Sequence, residues 1–258
     1  MNYIGIDIGS TCAKTVVLNE KKEIIQEFVQ PTGWSSVDTA EEIHQKLELA
    51  EINLSDDSSC CVATGYGRIS VPYADKTVTE ITCHALGAVH LFQQPDLTVI
   101  DIGGQDTKII QIEQGFVKDF IMNDKCAAGT GRFLEVMAST LSLRPNEMFD
   151  LARLGSDTTI SSMCTVFAES EVIGLIGKGE PKENIAYAVV NSTIRKVAAQ
   201  VSRMNGEMST FCLTGGLCEC EYIREALSKE LGKEVISCPD ARYAGAIGAA
   251  LSAMKIRK

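Results

Sequence analysis

The sequence predicts an α/β protein with two related halves. Three observations carry this. Strand-like and helix-like segments alternate along the 258 residues. An apolar run, an Asp, a glycine turn and a second apolar run occur twice. A further glycine turn, Leu213-Thr214-Gly215-Gly216-Leu217, follows an apolar strand and precedes a helical pattern.

The elements read in order. Strands are expected at about 3–8, 14–19 and 24–28, a helix at about 38–51, a strand at about 60–63 and a helix at about 82–93. The second half begins with strands at about 97–102, 107–112 and 116–121. Helices follow at about 130–142, 167–178 and 182–203, the last behind Pro181, which suits a helix N-terminus. A strand at about 209–214 and helices at about 220–231 and 242–254 complete the chain. The expected domains are residues 1–95 and 96–241, with the C-terminal helix, about 242–258, packing back onto the first.

The duplication is the strongest internal signal. Residues 4–17 read I-G-I-D-I-G-S-T-C-A-K-T-V-V and residues 98–111 read T-V-I-D-I-G-G-Q-D-T-K-I-I-Q. Asp7 matches Asp101, Gly9 matches Gly103 and Lys14 matches Lys108, each at an offset of 94. Each copy reads as a β-hairpin with small residues at its tip. A glycine tip lets backbone N–H groups approach a phosphate, and Ser10 and Thr11 add hydroxyl donors. Asp7 and Asp101 suit a magnesium ion held mostly through water. Two such tips would grip a nucleotide's phosphates from both sides.

Composition narrows the setting. The formal net charge of −10 argues against non-specific affinity for nucleic acid or anionic lipid. No apolar run approaches about 18 residues, so no membrane span is expected. The start, M-N-Y-I-G, lacks the basic and apolar pattern of a signal peptide, so a cytoplasmic location is expected. Ten cysteines in a reducing compartment argue against a disulfide framework, and most read as small buried apolar residues.

The two Asp-Gly hairpins and the Leu213–Leu217 turn together resemble the phosphate-1, phosphate-2 and adenosine motifs of the acetate and sugar kinase, Hsp70 and actin superfamily. The resemblance spans the chain and implies two RNase H-like domains with ATP in the cleft between them. A narrower resemblance lies in N-D-K-C-A-A-G-T-G-R-F-L-E (123–135), S-S-M-C-T-V-F-A-E-S-E (161–171), G-Y-G-R (65–68) and A-D-K-T-V-T-E-I-T-C-H-A (74–85). These are similar to motifs of the BadF/BadG/BcrA/BcrD ATPases, and in particular of the activators of 2-hydroxyacyl-CoA dehydratases.

That resemblance implies a homodimer holding one [4Fe-4S] cluster, with Cys126 and Cys164 as each subunit's ligands. The residues agree with it. A cubane cluster needs four thiolates, C-x-x-C spacing is absent, and a two-fold axis doubles two isolated thiols to four. Each cysteine is expected to open a helix, Cys126 the one ending near Leu141 and Cys164 the one ending near Gly177, and a helix N-terminus favours a thiolate. Cys12, Cys60, Cys61, Cys83, Cys212 and Cys238 read as packing residues. Cys218-Glu219-Cys220 has a metal-binding spacing for which the family pattern has no use.

The implied roles follow. Gly9, Ser10, Thr11 and Lys14 contact phosphates in the first hairpin, with Cys12 and Ala13 in the same cofactor-binding stretch. Gly103, Gly104, Gln105 and Asp106 do so in the second. Asp7 and Asp101 hold the Mg²⁺ hydration shell, and Asp101 or Gln105 orients the attacking water. Gly129, Thr130 and Gly131 reach phosphate or ribose. Glu135, Gly215 and Gly216 hold ribose and adenine, and Arg242 stacks near the base. The expected activity is ATP-gated electron transfer from a ferredoxin- or flavodoxin-type donor to a partner iron–sulfur dehydratase or related reductase. Two other readings fit parts of the pattern: a cluster-free kinase for a small molecule such as an amino sugar, and an ATP-dependent thiol or zinc regulator. A subunit of a benzoyl-CoA reductase is a third, within the same family.

Overall fold

The computed structural model describes residues 1–54, 57–162, 164–205 and 210–256. Residue 209 of the last expected long strand, residues 257–258 and Met163 of the second cysteine motif lie outside them. The chain forms two compact units. The first comprises Met1–Val99, Ile110–Asp119 and Cys238–Lys258, and the second Ile100–Ile109 and Phe120–Ser237.

In the first unit, strands β1 (Asn2–Ile8), β2 (Cys12–Leu18), β3 (Ile24–Pro31), β4 (Ser59–Thr64) and β5 (Lys76–Thr77) form a sheet of order β3-β2-β1-β4-β5. β1 runs antiparallel to β2 and parallel to β4. Its Ile4, Ile6 and Ile8 pack with Ala40, Ile43 and Leu47 of α1 (Ser36–Leu49). On the other face, Val16 and Leu18 pack with Ala246, Ile247 and Ala250 of α8 (Ala244–Ile256). The period-2 alternation of these strands is what allows both faces to be apolar at once.

Helix α2 (Glu80–Phe92) lies against α8 at very short range. A Cβ on Gly87 would stand 1.9 Å from the Ala244 carbonyl oxygen, and one on Gly248 would stand 1.7 Å from that of Cys83. Gly248→Ala must therefore push two backbones apart. Its expected cost is about 3 kcal/mol. Gly174→Ala, with nothing near its Cβ position, is expected to change stability by less than about 1 kcal/mol. Urea unfolding of the two variants checks the contrast.

The second sheet has the order β10-β9-β6-β7-β8, from β6 (Leu97–Ile102), β7 (Thr107–Glu113), β8 (Phe116–Asn123), β9 (Thr210–Gly215) and β10 (Val235–Ile236). β6, β9 and most of β7 are buried. β8 is an exposed edge. In the second unit, α3 (Gly131–Thr140) packs on α5 (Thr165–Gly177), and α6 (Lys182–Val201) packs on α4 (Pro145–Ala152) and α7 (Glu221–Leu231).

The long elements match the sequence reading closely, and the misses are short. α4 spans 8 residues, about two turns, too few to show a period. It starts on Pro145, and the Glu147 carboxylate accepts from the Arg144 backbone N–H at 2.7 Å and its guanidinium at 2.8 Å. The helix expected from residue 242 starts at Ala244, because Pro239–Tyr243 forms a 3₁₀ turn. Arg242 lies in that turn, close enough to Glu27 of β3 to act on its charge. Burial and Asp240 nevertheless raise the Glu27 pKa.

Candidate functional site

The duplicated motif folds into two copies of one turn. In the β1–β2 hairpin the Gly9 N–H donates to the Cys12 carbonyl at 3.1 Å. Between β6 and β7 the Gly103 N–H donates to the Asp106 carbonyl at 2.9 Å. Thr32 braces the first tip: its hydroxyl donates to the Gly9 carbonyl at 2.7 Å and its N–H to that of Thr11 at 2.9 Å. Thr11 and Gln105 occupy equivalent exposed apices. Ala13 points into the core, which leaves only its backbone to reach a ligand.

The side chains beneath the two tips differ. Asp7 faces Lys14 in the strand register and is 3% exposed. Its Oδ1 has no hydrogen-bond partner among the described residues. Two glycines make room for this carboxylate. A Cβ on Gly65 would stand 2.5 Å from Oδ1, and one on Gly245 would stand 2.4 Å from Oδ2. The His84 ring is on the same side, with Cε1 2.8 Å from that Gly245 position. A buried carboxylate with an open oxygen beneath a glycine turn is suited to a hydrated divalent cation.

Asp101 is fully engaged instead. Its Oδ1 accepts from the Thr214 hydroxyl at 2.7 Å, and its Oδ2 lies 3.3 Å from Lys108 Nζ. Lys108 also pairs with Asp106 at 2.8 Å, and all three side chains are buried. Lys108 is thus an internal strut, and the Asp106 carboxylate points inward at it. Gly215 adopts φ +84° where a Cβ would stand 2.4 Å from the Ile102 carbonyl and 3.0 Å from Asp101 Oδ1. Thr214, Gly215 and Asp101 therefore form one cluster within the second unit.

The stretch after β8 is docked on the second tip. The Gly131 N–H donates to the Gly103 carbonyl at 3.0 Å, and the Arg132 N–H to that of Gly104 at 2.8 Å. The Thr130 hydroxyl turns back to the Ala127 carbonyl at 2.6 Å, and the Thr107 hydroxyl reaches that of Gly129 at 2.6 Å. Glu135 pairs with Arg132 at 3.3 Å and lines a cavity of about 310 Å³ with Val136, Ser139, Thr140 and Glu169.

Of the ten free cysteines, Cys126 and Cys164 are the exposed ones. Burial raises the thiol pKa of Cys61, pushes that of Cys83 up to about 12, and raises those of Cys220 and Cys238. Cys218 is buried and burial raises the Cys220 thiol, so the C-x-C pair lacks the exposure of a reactive pair. Cys164 is the N-cap of α5. Cys126, expected to open α3, lies ahead of it instead. Gly129 at φ +85° and an extended Thr130 break the chain between them, and the helix begins at Gly131.

Among the described residues no group of three or more His, Cys, Asp or Glu side chains could hold a metal ion. The two exposed thiols of one chain are half the number that a four-thiolate cluster takes. No helix of the described residues is long and apolar enough to cross a membrane.

Comparison with known proteins agrees with this geometry. The chain is 44% identical over 257 residues to the (R)-2-hydroxyglutaryl-CoA dehydratase activating ATPase of Acidaminococcus fermentans, covering 98% of this chain and 96% of that protein. The crystal structure of component A of that dehydratase from Acidaminococcus fermentans superimposes with a TM-score of 0.91 at 41% identity, over 100% of both chains. The activator of 2-hydroxyisocaproyl-CoA dehydratase from Clostridium difficile, solved with bound ADPNP, gives 0.90 at 35% identity over 99% of this chain and 95% of that one. The model of the BadF/BadG/BcrA/BcrD ATPase family matches residues 4–253. With its two mixed sheets and duplicated glycine turns, this chain belongs to the BadF/BadG/BcrA/BcrD ATPase family.

Proposed function

We propose that this protein is an ATP-dependent activator that delivers a low-potential electron to a partner iron–sulfur 2-hydroxyacyl-CoA dehydratase or a related reductase. The observation that carries the proposal is the continuity of one segment. Cys126 is exposed, and further along the same stretch Gly131 and Arg132 hydrogen-bond to the second glycine turn. A single piece of backbone thus joins a candidate phosphate grip to a candidate metal ligand. The named activities of its relatives support the same reading.

In this proposal Ser10 and Thr11 of the first tip and Gly104 and Gln105 of the second bind ATP phosphates through backbone N–H groups and side-chain donors, while Gly9 and Gly103, whose N–H groups close the turns, let the phosphates approach. The open Oδ1 of Asp7 takes a water of the Mg²⁺ hydration shell. Asp101, held by Thr214 and Lys108, fixes the second turn. Gln105, exposed at the apex, orients the attacking water. Gly129–Gly131, Glu135, Gly215 and Gly216 flank the ribose and base.

Cys126 and Cys164 of two chains would hold one [4Fe-4S] cluster, which supplies one-electron transfer when bound. A homodimer is supported by α5. Val166, Phe167, Ile173 and Ile176 on this helix are exposed and apolar, and the helix starts at Cys164. A ferredoxin- or flavodoxin-type protein is the proposed donor.

The test is reactivation. An inactive, oxidised 2-hydroxyacyl-CoA dehydratase is incubated anaerobically with this protein, a reductant and either ATP or ADP. Dehydration is expected to appear with ATP and to be absent with ADP. A protein that hydrolyses ATP, carries no iron and phosphorylates a small acceptor would replace this reading with a kinase.

A further inference from the structure

Each exposed thiol lies in or beside a loop that one side chain holds in place. Glu171, on α5, reaches back to the loop before Cys164. Its carboxylate accepts from the Ser161 N–H at 3.0 and 3.1 Å, the Ser161 hydroxyl at 3.2 and 3.3 Å, and the Ser162 N–H at 3.1 Å. Burial opposes the charged form, but these donors outweigh it and hold the carboxyl below its usual pKa. On the other loop, Asn123 at the end of β8 donates from Nδ2 to the Cys126 carbonyl at 2.9 Å and to that of Ala128 at 3.0 Å. A carboxylate offers only acceptors and an amide N–H₂ offers two donors, so each side chain matches the polarity of the backbone it holds.

The loops need such anchors. Residues 161–162 have no regular structure, and Cys126 lies in an irregular stretch ahead of α3. Exposed loops held only by local contacts open easily. A thiol on such a loop cannot keep a fixed ligand direction.

We infer that Glu171 and Asn123 are positioning residues, each fixing the loop that carries one of the two candidate ligand thiols. Their purpose rests on the cluster reading above, while the anchoring does not. The two loops are also linked through their helices. The Thr140 hydroxyl of α3 donates to Glu169 of α5 at 3.2 Å, so the clamped loops belong to a pair of helices tied to each other.

The experiment uses the full-length, reduced, metal-free protein. In Glu171→Gln, hydrogen exchange at the Ser161 and Ser162 amides is expected to rise about tenfold, the effect of losing charge-assisted bonds. Iodoacetamide labelling is expected to change at Cys164 by about threefold or more and to stay constant at Cys126. Asn123→Ala is expected to do the converse, changing Cys126 and sparing Cys164. Glu171→Asp, which keeps the charge, is expected to recover part of the protection. Unchanged exchange and labelling would overturn the inference. Equal change at both thiols in either variant would overturn it too, since that signals general loosening. After anaerobic reconstitution, both variants are expected to hold less iron than the wild type at equal nucleotide affinity. A wild type that binds no iron would sink the cluster reading, whereas the exchange and labelling results would still decide the anchoring.

Discussion

Lys108→Met is expected to destabilise the protein by about 3–5 kcal/mol. Lys108 is 1% exposed and lies between Asp101, at 3.3 Å, and Asp106, at 2.8 Å. Removing the ammonium leaves two buried carboxylates without their counter-charge, and the apolar packing of the Met side chain does not offset that. The loss should appear as a lower urea midpoint. Lys14→Met is the control. Its residue holds the same place in the first copy of the motif but is only half-buried, so a change within about 1 kcal/mol is expected. Equal losses at both positions would show that the two copies use their lysines alike.

Cys126→Ala is expected to abolish iron binding while leaving nucleotide affinity within about twofold of the wild type. Cys164→Ala should do the same. In a shared four-thiolate site, one substitution per chain removes two ligands of four, so a partial site is not retained. Nucleotide affinity is spared because neither thiol forms part of the glycine turns. Cys212→Ala supplies the comparison: its thiol is 0% exposed in the core, so it should lower stability and keep the iron. Iron and sulfide assays, with titration of a fluorescent nucleotide, separate these outcomes. Full iron in Cys126→Ala would remove it from the ligand set.

Much of this was legible from the chain alone, for reasons the structure makes plain. The offset of 94 between Asp7 and Asp101 reappears as matching Gly9–Cys12 and Gly103–Asp106 hydrogen bonds, because turn geometry is set by local residue types. The environment of each copy was not legible. Lys14 and Lys108 share a motif position, yet only Lys108 is sealed between two carboxylates. That depends on what packs around the strand, and periodicity carries no record of it. The cradle of Asp7 was hidden for the same reason. Gly65 and Gly245 come to it from β4's end and the start of α8, far apart in the chain. G-Y-G-R and T-C-H-A had been singled out as motifs, but only the fold shows that Gly65 and His84 face this carboxylate's surroundings. The start of α3 beyond Cys126 is set by Gly129. Its left-handed conformation there is a three-dimensional fact.

The central claim is that two copies of this chain share one cluster through Cys126 and Cys164. Native mass spectrometry of protein purified without oxygen tests it most directly. The account predicts a species of two chains carrying four iron and four sulfide, converted to apo-protein by either cysteine substitution. A monomer, or a dimer bound to zinc or to no metal, would contradict it.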